Sequence, residues 1–476
     1  GQHDDGRRPT QALEGLALTS PARIRCRLTL PGPQATMLHR APMPDIPRFS
    51  HSGRFRCRWL FAGILPWLLV VSCGSMTHSA GSPQNLIEQI LRQHPDWSDH
   101  VIRRATDYEI QILYTQIDRD QNNFPEFTSH AYRVDPDAYF YPASTVKMPV
   151  AFLALEKIRQ LGRSHAGVGP YTPVRIDSAA PGQIAVLHDA STPAGVPSIG
   201  HYIQKIFLVS DNDAHNRLYE FLGQKQLNEA LWAKGYEHVR LTHRLAVSRT
   251  PEENACTNPI TFYDPETGDV LHEQPLVCND DSYLPPAPIL RGKGYVSDGQ
   301  LVEEPMNFTG KNYIAVGDLQ AMLKAVLFPD AVPEQQRFDL GPQDLDLIYR
   351  AMSQLPRESG IAKYEDEHYW DGYVKFTLFG DNKERIEPGI RVFNKVGVAY
   401  GYMTENAYTI DYDEGVEYLL TAVICVNENG IFDDGKYAYD EIGFPFLANL
   451  GRAIHAYEVD RPRRHRPDLS RFEPYR

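Results

Sequence analysis

The chain has few cysteines and none of the spacings that typically bind metals. Six cysteines occur among 476 residues, and the sequence contains no CxxC pair and no HExxH motif. Structural and catalytic zinc sites usually draw their ligands from such closely spaced groups. The sequence therefore predicts no metal site and no other cofactor.

The main part of the chain also lacks a basic surface. The formal net charge is −13, although residues 1–73 hold ten arginines, no lysine and only four acidic residues. The remainder is therefore more acidic than the total, and it has no basic stripe that could neutralise phosphates. We expect no nucleic-acid partner.

The apolar run at residues 59–71 is too short to span a membrane. It has 13 residues, whereas a spanning helix needs about 20. Three arginines precede the run and small residues follow it, as in a secretory signal peptide. We therefore interpret residues 54–73 as a signal peptide. Residues 1–53 are interpreted as a disordered extension or a misassigned start, and residues 74–84 as a tether.

The end of this run, Val70-Val71-Ser72-Cys73, resembles a bacterial lipobox. That resemblance implies cleavage before Cys73 and a lipid on its thiol, which would anchor the protein to a membrane. We expect an exported, monomeric lipoprotein that faces the periplasm or the cell surface. The alternatives are a plain secretory signal and a short buried helix.

Residues 85–458 are predicted to form one domain, followed by a basic tail at residues 459–476. Periodicity is lost at about residues 248–311, where prolines are frequent, and this indicates an insertion. Cys256 and Cys278 flank a loop within it that is rich in proline and aspartate. Because export permits disulfides, these two cysteines are a candidate pair.

Hydrophobic periodicity predicts strands at both ends of this domain and helices between them. Helices are expected at residues 85–105, 144–158, 199–210, 214–222, 227–232, 314–327, 345–352 and 437–457. Strands are expected at residues 108–117, 130–134, 373–378, 390–398, 407–411 and 418–426. These elements indicate an α+β fold, with one antiparallel sheet built from the N- and C-terminal segments, flanking helices and a second, all-α lobe. The cleft between the lobes would hold the site.

Three short motifs could carry chemistry. Ser144-Thr-Val-Lys147 opens an apolar helix, Ser210-Asp-Asn212 lies between two helices, and Lys395-Val-Gly397 leads a hairpin. Residues three apart on a helix share one face, so the Lys147 amine can reach the Ser144 hydroxyl. Burial would lower the pKa of that amine and let it accept the serine proton. Each motif alone is common at helix starts and turns, but their order and setting together indicate an acyl-serine enzyme.

With these motifs the chain resembles the class A β-lactamase family and its relatives among serine D,D-peptidases, over roughly residues 85–458. The resemblance implies a β-lactamase/transpeptidase-like fold and no cofactor. It implies that Ser144 is the acylated nucleophile and that Lys147 is its base or proton partner. It also implies that Ser210 relays a proton to the leaving nitrogen.

The same resemblance implies the residues that bind substrate. Asn212 would hold the side-chain amide of the substrate, and Lys395, in the motif that ends at Gly397, would attract its carboxylate. The backbone N–H groups of Ser144 and Val398 would form the oxyanion hole. The expected substrate is a small β-lactam or a peptide amide of the cell wall.

Two departures from the family pattern stand out. The third motif has Val396 where a threonine or serine is usual, which removes a charge-assisted hydrogen bond worth about 1.5–3 kcal/mol. The family also places a deacylating glutamate in a loop after the middle helices. Glu252 and Glu253 are the candidates here, although their spacing does not match. The alternatives are therefore an esterase or amidase of other specificity and a non-catalytic envelope-binding module.

Overall fold

The computed structural model describes residues 85–365 and 367–476. The predicted signal peptide, its Cys73, the extension at residues 1–53 and the tether at residues 74–84 lie outside these residues. No helix in the described part of the chain is long and apolar enough to cross a membrane.

Helices dominate the middle of the chain and strands dominate its two ends. The α-helices are α1 Leu86–Arg92, α2 Pro95–Arg103, α3 Lys147–Ser164, α4 Ile199–Leu208, α5 Asn212–Leu222, α6 Gln224–Ala233, α7 Pro251–Ala255, α8 Val316–Leu327, α9 Pro342–Ser353, α10 Phe376–Phe379 and α11 Phe444–Asp460. The strands are β1 Gln111–Arg119, β2 Pro125–Tyr132, β3 Val174–Ile176, β4 Val239–Arg240, β5 Ile260–Tyr263, β6 Val270–Gln274, β7 Leu290–Arg291, β8 Gly294–Ser297, β9 Gln300–Val302, β10 Met306–Asn307, β11 Tyr313–Ile314, β12 Ile390–Ala399, β13 Tyr402–Asp411, β14 Val416–Cys425 and β15 Ile431–Phe432.

The main sheet joins strands from the two ends of the domain. Its order is β12-β13-β14-β1-β2, and every neighbouring pair is antiparallel. Helix α8 packs on β1, β13 and β14, and α11 packs on β14. The expected α+β fold is therefore confirmed, and β12 lies at an edge of the sheet.

The helix that follows the first motif is buried around much of its circumference. A short 3-10 turn, Ala143–Val146, leads into α3, and Pro149 lies in the first turn of that helix, where a missing N–H costs little. The first nine residues of α3 are all buried, and its apolar side chains share one core with α4, α5, α8 and α9. A helix that is apolar on most sides lies inside a domain. Because the turn that carries Ser144 continues directly into this buried helix, the helix holds the turn in place.

Several of the predicted helices and strands differ from the observed ones in type or in bounds. The expected helix at residues 85–105 is two helices, because Pro95 begins a new one. The expected strand at residues 373–378 is a 3-10 turn, Asp371–Val374, followed by α10. The strand expected at residues 407–411 begins already at Tyr402, since the residues before Ala407 pair with β12 and β14.

The segment predicted as an insertion carries structure of its own. Strand β5 pairs with both β3 and β6, and β8 pairs with both β15 and β9. The sulfur atoms of Cys256 and Cys278 lie 1.98 Å apart, at bonding distance. The basic C-terminal segment is also packed, because its 3-10 turn Ser470–Tyr475 buries Phe472.

A buried ion pair ties β1 to β14. The Arg119 guanidinium donates to both carboxylate oxygens of Glu417, at 2.6 and 2.8 Å, and the Tyr408 hydroxyl donates to the same carboxylate at 2.6 Å. The Glu417 side chain is fully buried. Removing one partner of such a pair leaves an uncompensated buried charge.

We therefore expect Glu417→Ala to lower the free energy of unfolding by about 3–5 kcal/mol. Urea denaturation followed by circular dichroism measures this change. Glu303→Ala, at an exposed glutamate of the inserted segment, is the matched control and should shift stability by less than about 0.5 kcal/mol. Equal stability of the two variants would contradict this account.

Candidate active site

The three motifs meet at one place, between α3, the turn before α5, and the edge strand β12. Ser144 is partly exposed, whereas Lys147, Ser210 and Lys395 are buried around it. Two residues here have left-handed backbone conformations that are unusual for non-glycine residues: Ala143 has a φ of 46° and Ser210 a φ of 57°. Such strain persists only where the surrounding structure enforces it, and it clusters at functional sites.

The Lys147 amine lies at the centre of this cluster. Its Nζ atom is 2.8 Å from Ser144 Oγ, 2.5 Å from the Ser210 carbonyl oxygen, 3.2 Å from Ser210 Oγ and 2.7 Å from Asn212 Oδ1. Burial lowers the pKa of this amine to about 7, although the charge of Asp211 acts in the opposite direction. A large neutral fraction is therefore present near pH 7. In that form Nζ can donate to the carbonyl and amide oxygens and accept the serine proton.

Ser210 connects the two lysines. Its hydroxyl lies 2.8 Å from Lys395 Nζ and 3.2 Å from Lys147 Nζ, and Lys395 Nζ also donates to the Val396 carbonyl at 2.8 Å. Burial and the nearby charge of Lys147 hold the pKa of Lys395 well below its ordinary value. A hydroxyl between two amines can pass a proton from one to the other.

Gly397 allows the edge strand to approach the serine turn closely. A β-carbon at this position would lie 2.5 Å from the Pro142 carbonyl oxygen and 3.0 Å from the Ser144 backbone nitrogen. The first distance is too short for any side chain, and the second is tight. The φ angle of Gly397 is not in the left-handed region, so glycine is favoured here by the close backbone contact and not by conformational strain. Val398 follows on the same strand and is buried.

A second buried polar network supports β12 from its other face. Asn394 accepts from Lys375 Nζ at 2.6 Å and donates to Glu405, whose carboxylate also accepts from the Thr377 backbone N–H. Burial lowers the pKa of Lys375 and raises the pKa of Glu405. Sequence reasoning did not identify this network.

Neither candidate deacylation base contacts the cluster. Glu252 is exposed, and Glu253 caps α7 by accepting from the Thr250 backbone N–H at 2.9 Å. The preceding loop is fastened to α5 instead: Asn216 donates to the Leu245 carbonyl at 3.0 Å and accepts from the Leu245 N–H at 2.8 Å. The motif residues are thus brought together, and the two glutamates are held elsewhere.

A protein-family model matches part of the chain. Residues 100–281 match the model of the β-lactamase enzyme family. This match confirms the resemblance to β-lactamase-like serine hydrolases. It covers Ser144 and Ser210 but ends before Lys395. Among curated proteins, none matches the chain.

Solved structures of β-lactamase-like proteins align with the chain at low identity. The β-lactamase from Sphaerobacter thermophilus is 13% identical, with a TM-score of 0.42, over 79% of this chain and 98% of its own. PBP-A is 16% identical, with a TM-score of 0.43, over 79% and 97%. The β-lactamase from Desulfarculus baarsii is 14% identical, with a TM-score of 0.42, over 79% and 98%.

The close approach at Gly397 gives a first prediction, for the acylation of Ser144 that the motifs indicate. Gly397→Ala should slow acylation of Ser144 by about 100-fold, because the added methyl group displaces the strand from the serine turn. Stopped-flow or intact-mass measurement of acylation by a penicillin-type probe tests this. Gly317→Ala, where nothing lies within 4 Å of the new carbon, is the control and should react at the rate of the unmodified protein. Acylation of Gly397→Ala at that same rate would show that the approach is not needed.

The lowered pKa of Lys147 gives a second prediction. The neutral amine is the form that accepts a proton, so the acylation rate should rise with pH and reach half of its plateau near pH 7. Rates measured from pH 5 to pH 9 with the same probe test this. A rate that is constant across this range would exclude Lys147 as the titrating base.

Proposed function

We propose that the chain is a serine hydrolase that forms an acyl-enzyme at Ser144, with a β-lactam or a related peptide amide of the cell wall as substrate. The observation that carries this proposal is the 2.8 Å contact between Ser144 Oγ and the buried Lys147 amine. A serine hydroxyl is a weak nucleophile, and it needs a base within hydrogen-bond reach. The family match supports the same reaction class.

In the proposed acylation step, neutral Lys147 accepts the Ser144 proton while Oγ attacks the carbonyl carbon. Negative charge then develops on the carbonyl oxygen, which the backbone N–H groups of Ser144 and Val398 would stabilise. When the carbon–nitrogen bond breaks, the leaving nitrogen takes a proton from Ser210. The Ser210 hydroxyl is restored from a protonated lysine beside it, so the proton removed from Ser144 ends on the leaving group.

The substrate is expected to carry a carboxylate. Lys395 lies next to Ser210, and a substrate carboxylate beside its amine would favour the protonated form, while Asn212 would hold an amide of the substrate. Because Val396 has no hydroxyl, penicillin-like ligands should bind less tightly than they would with a threonine, by about 1.5–3 kcal/mol. Binding of the carboxylate then depends mainly on charge.

One observation favours a second candidate, an esterase or amidase of different specificity. The inserted segment reaches the end of β12, where Lys311 Nζ lies 3.1 Å from the Tyr400 hydroxyl and 4.8 Å from the centre of its ring. Tyr400 in turn packs edge-on against Tyr141, three residues before Ser144, with ring centres 5.1 Å apart. An aromatic rim with a cation would suit an acyl group other than that of penicillin.

We also propose that the protein is exported and anchored through a lipid on Cys73. The signal-like pattern at residues 54–73 is the basis of this proposal. The bonded pair Cys256 and Cys278 is consistent with it, because disulfides persist mainly in oxidising compartments.

Acylation can be tested by incubating the protein with a penicillin-type probe and an activated ester, followed by intact-mass measurement. We expect one covalent adduct on the unmodified protein and none on Ser144→Ala. Ser297→Ala, at an exposed serine of the inserted segment, should be labelled normally. Labelling by the ester alone would favour the second candidate. No adduct with either probe would leave a non-catalytic envelope module as the better description.

A further inference from the structure

A buried histidine beside the proposed catalytic cluster has no hydrogen-bond partner. The His215 side chain is 1% exposed, and neither ring nitrogen is bonded to any group in the described part of the chain. Most buried polar atoms in proteins are satisfied, so an exception at a catalytic cluster calls for a functional explanation. None of the three short motifs includes this residue.

His215 lies next to the two lysines of the site. It is three residues after Asn212 on α5, on the same face of the helix, and Asn212 accepts from Lys147. Burial lowers the pKa of the imidazole, and Lys147 and Lys395 lower it further whenever their amines are protonated. The His215 ring therefore lies within electrostatic range of the Lys147 amine, which in turn contacts Ser144.

A second histidine faces the same region from the loop after β4. His243 Nδ1 lies 2.6 Å from the Arg244 carbonyl oxygen, so this nitrogen carries the proton and Nε2 has a free lone pair. His243 Nε2 is buried and has no hydrogen-bond partner among the described residues. Its ring is parallel to that of Tyr141, with centres 6.2 Å apart and an interplanar angle of 2°.

The loop that carries His243 is held firmly against α5. Both backbone groups of Leu245 bond to the side chain of Asn216, the residue next to His215. The Asn312 side chain accepts from the backbone N–H groups of Thr242 and His243. His243 thus lies within electrostatic range of His215, and the loop and helix that carry the two imidazoles are bonded together, while Glu252 and Glu253 lie away from the cluster.

We propose that His215 is the general base that activates the water for hydrolysis of the acyl-Ser144 ester, and that His243 is a positioning residue for the same water. This inference rests on the proposed acyl-enzyme function. The family pattern predicts a glutamate as the base for this hydrolysis, and here His215 takes that role.

The step is balanced as follows. His215 removes one proton from water as the oxygen adds to the ester carbonyl carbon. The resulting tetrahedral intermediate collapses, the bond between the carbonyl carbon and Ser144 Oγ breaks, and the product leaves as a carboxylic acid. The proton held by the imidazole returns to Ser144 Oγ, directly or through Lys147, and both groups are restored.

The charges around His215 fix its expected pH dependence. Lys147 faces it from α3, Lys395 from β12, His243 and Arg244 from the loop, and Tyr219 lies on its own helix. Burial, followed by the charge of Lys147, lowers the pKa of His215 well below 6.5, so the neutral base is present at pH 7. Hydrolysis of the adduct should therefore be constant near neutral pH and fall in acid.

The test follows the lifetime of a preformed adduct. Protein is labelled with a penicillin-type probe, freed of excess probe, and sampled by intact-mass measurement over time. We expect His215→Asn to acylate within about threefold of the unmodified protein but to lose the adduct at least about 100-fold more slowly, the usual contribution of a general base. His272→Asn, at a partly buried histidine on β6, is the matched control and should release the acyl group normally.

Three results would overturn the inference while leaving acylation at Ser144 intact. These are normal release by His215→Asn, an adduct on the unmodified protein that persists for many hours, and a release rate that rises tenfold per pH unit throughout, as reaction with hydroxide alone would. The last two need no variant, so they decide the matter even if His215→Asn fails to fold. A protein that never forms the adduct would overturn the proposed function itself.

Discussion

The burial of one amine organises this site. Lys147 lies at the start of a helix whose apolar residues enclose it, and its Nζ atom is surrounded by oxygen atoms from Ser144, Ser210 and Asn212. Enclosure in protein opposes the charged form, while the oxygen atoms fix the direction of the amine hydrogens. A group that would be a solvated cation on the surface thereby gains a neutral form whose lone pair can accept a proton from the serine beside it.

The edge position of β12 complements that amine. One side of β12 is bonded to β13, and Gly397 on one face of the strand lets it approach the serine turn. The opposite face of β12 contacts the Asn394 network. Replacing any member of that network with an apolar residue would leave buried polar groups without partners.

Much of this arrangement could be predicted from the sequence. The α+β fold follows from strands at both ends of the domain with helices between them, and the contact of Lys147 with Ser144 follows from helical spacing. The convergence of all three motifs was implied by the resemblance to class A β-lactamases. The strand at residues 373–378 was mispredicted because its aromatic residues are typical of strands, whereas tertiary packing folds them into short helical turns. Hydrophobic pattern alone does not distinguish these outcomes.

The buried polar residues were the least predictable. His215 and Glu405 follow no local rule, because their environment is created by segments far apart in the chain. The deacylating glutamate was sought by analogy in the loop after the middle helices. In that loop the structure has Leu245, whose backbone is hydrogen-bonded to the Asn216 side chain. The imidazole of His215 lies on the same helix as Asn216. Contacts between side chains from distant segments produce no periodic pattern in the sequence, so the sequence does not predict them.

The packing of Phe472 has a consequence for handling the protein. Its ring contacts Phe393 of β12 and Tyr408 of β13, with ring centres 5.4 and 5.3 Å away, and Phe393 is two residues before Lys395. The segment at residues 470–475 is therefore a brace for the edge strand, although it is remote from the serine in sequence. Deleting this segment would remove these ring contacts from the strand that carries the second lysine, so a preparation intended for kinetics should retain residues 470–475.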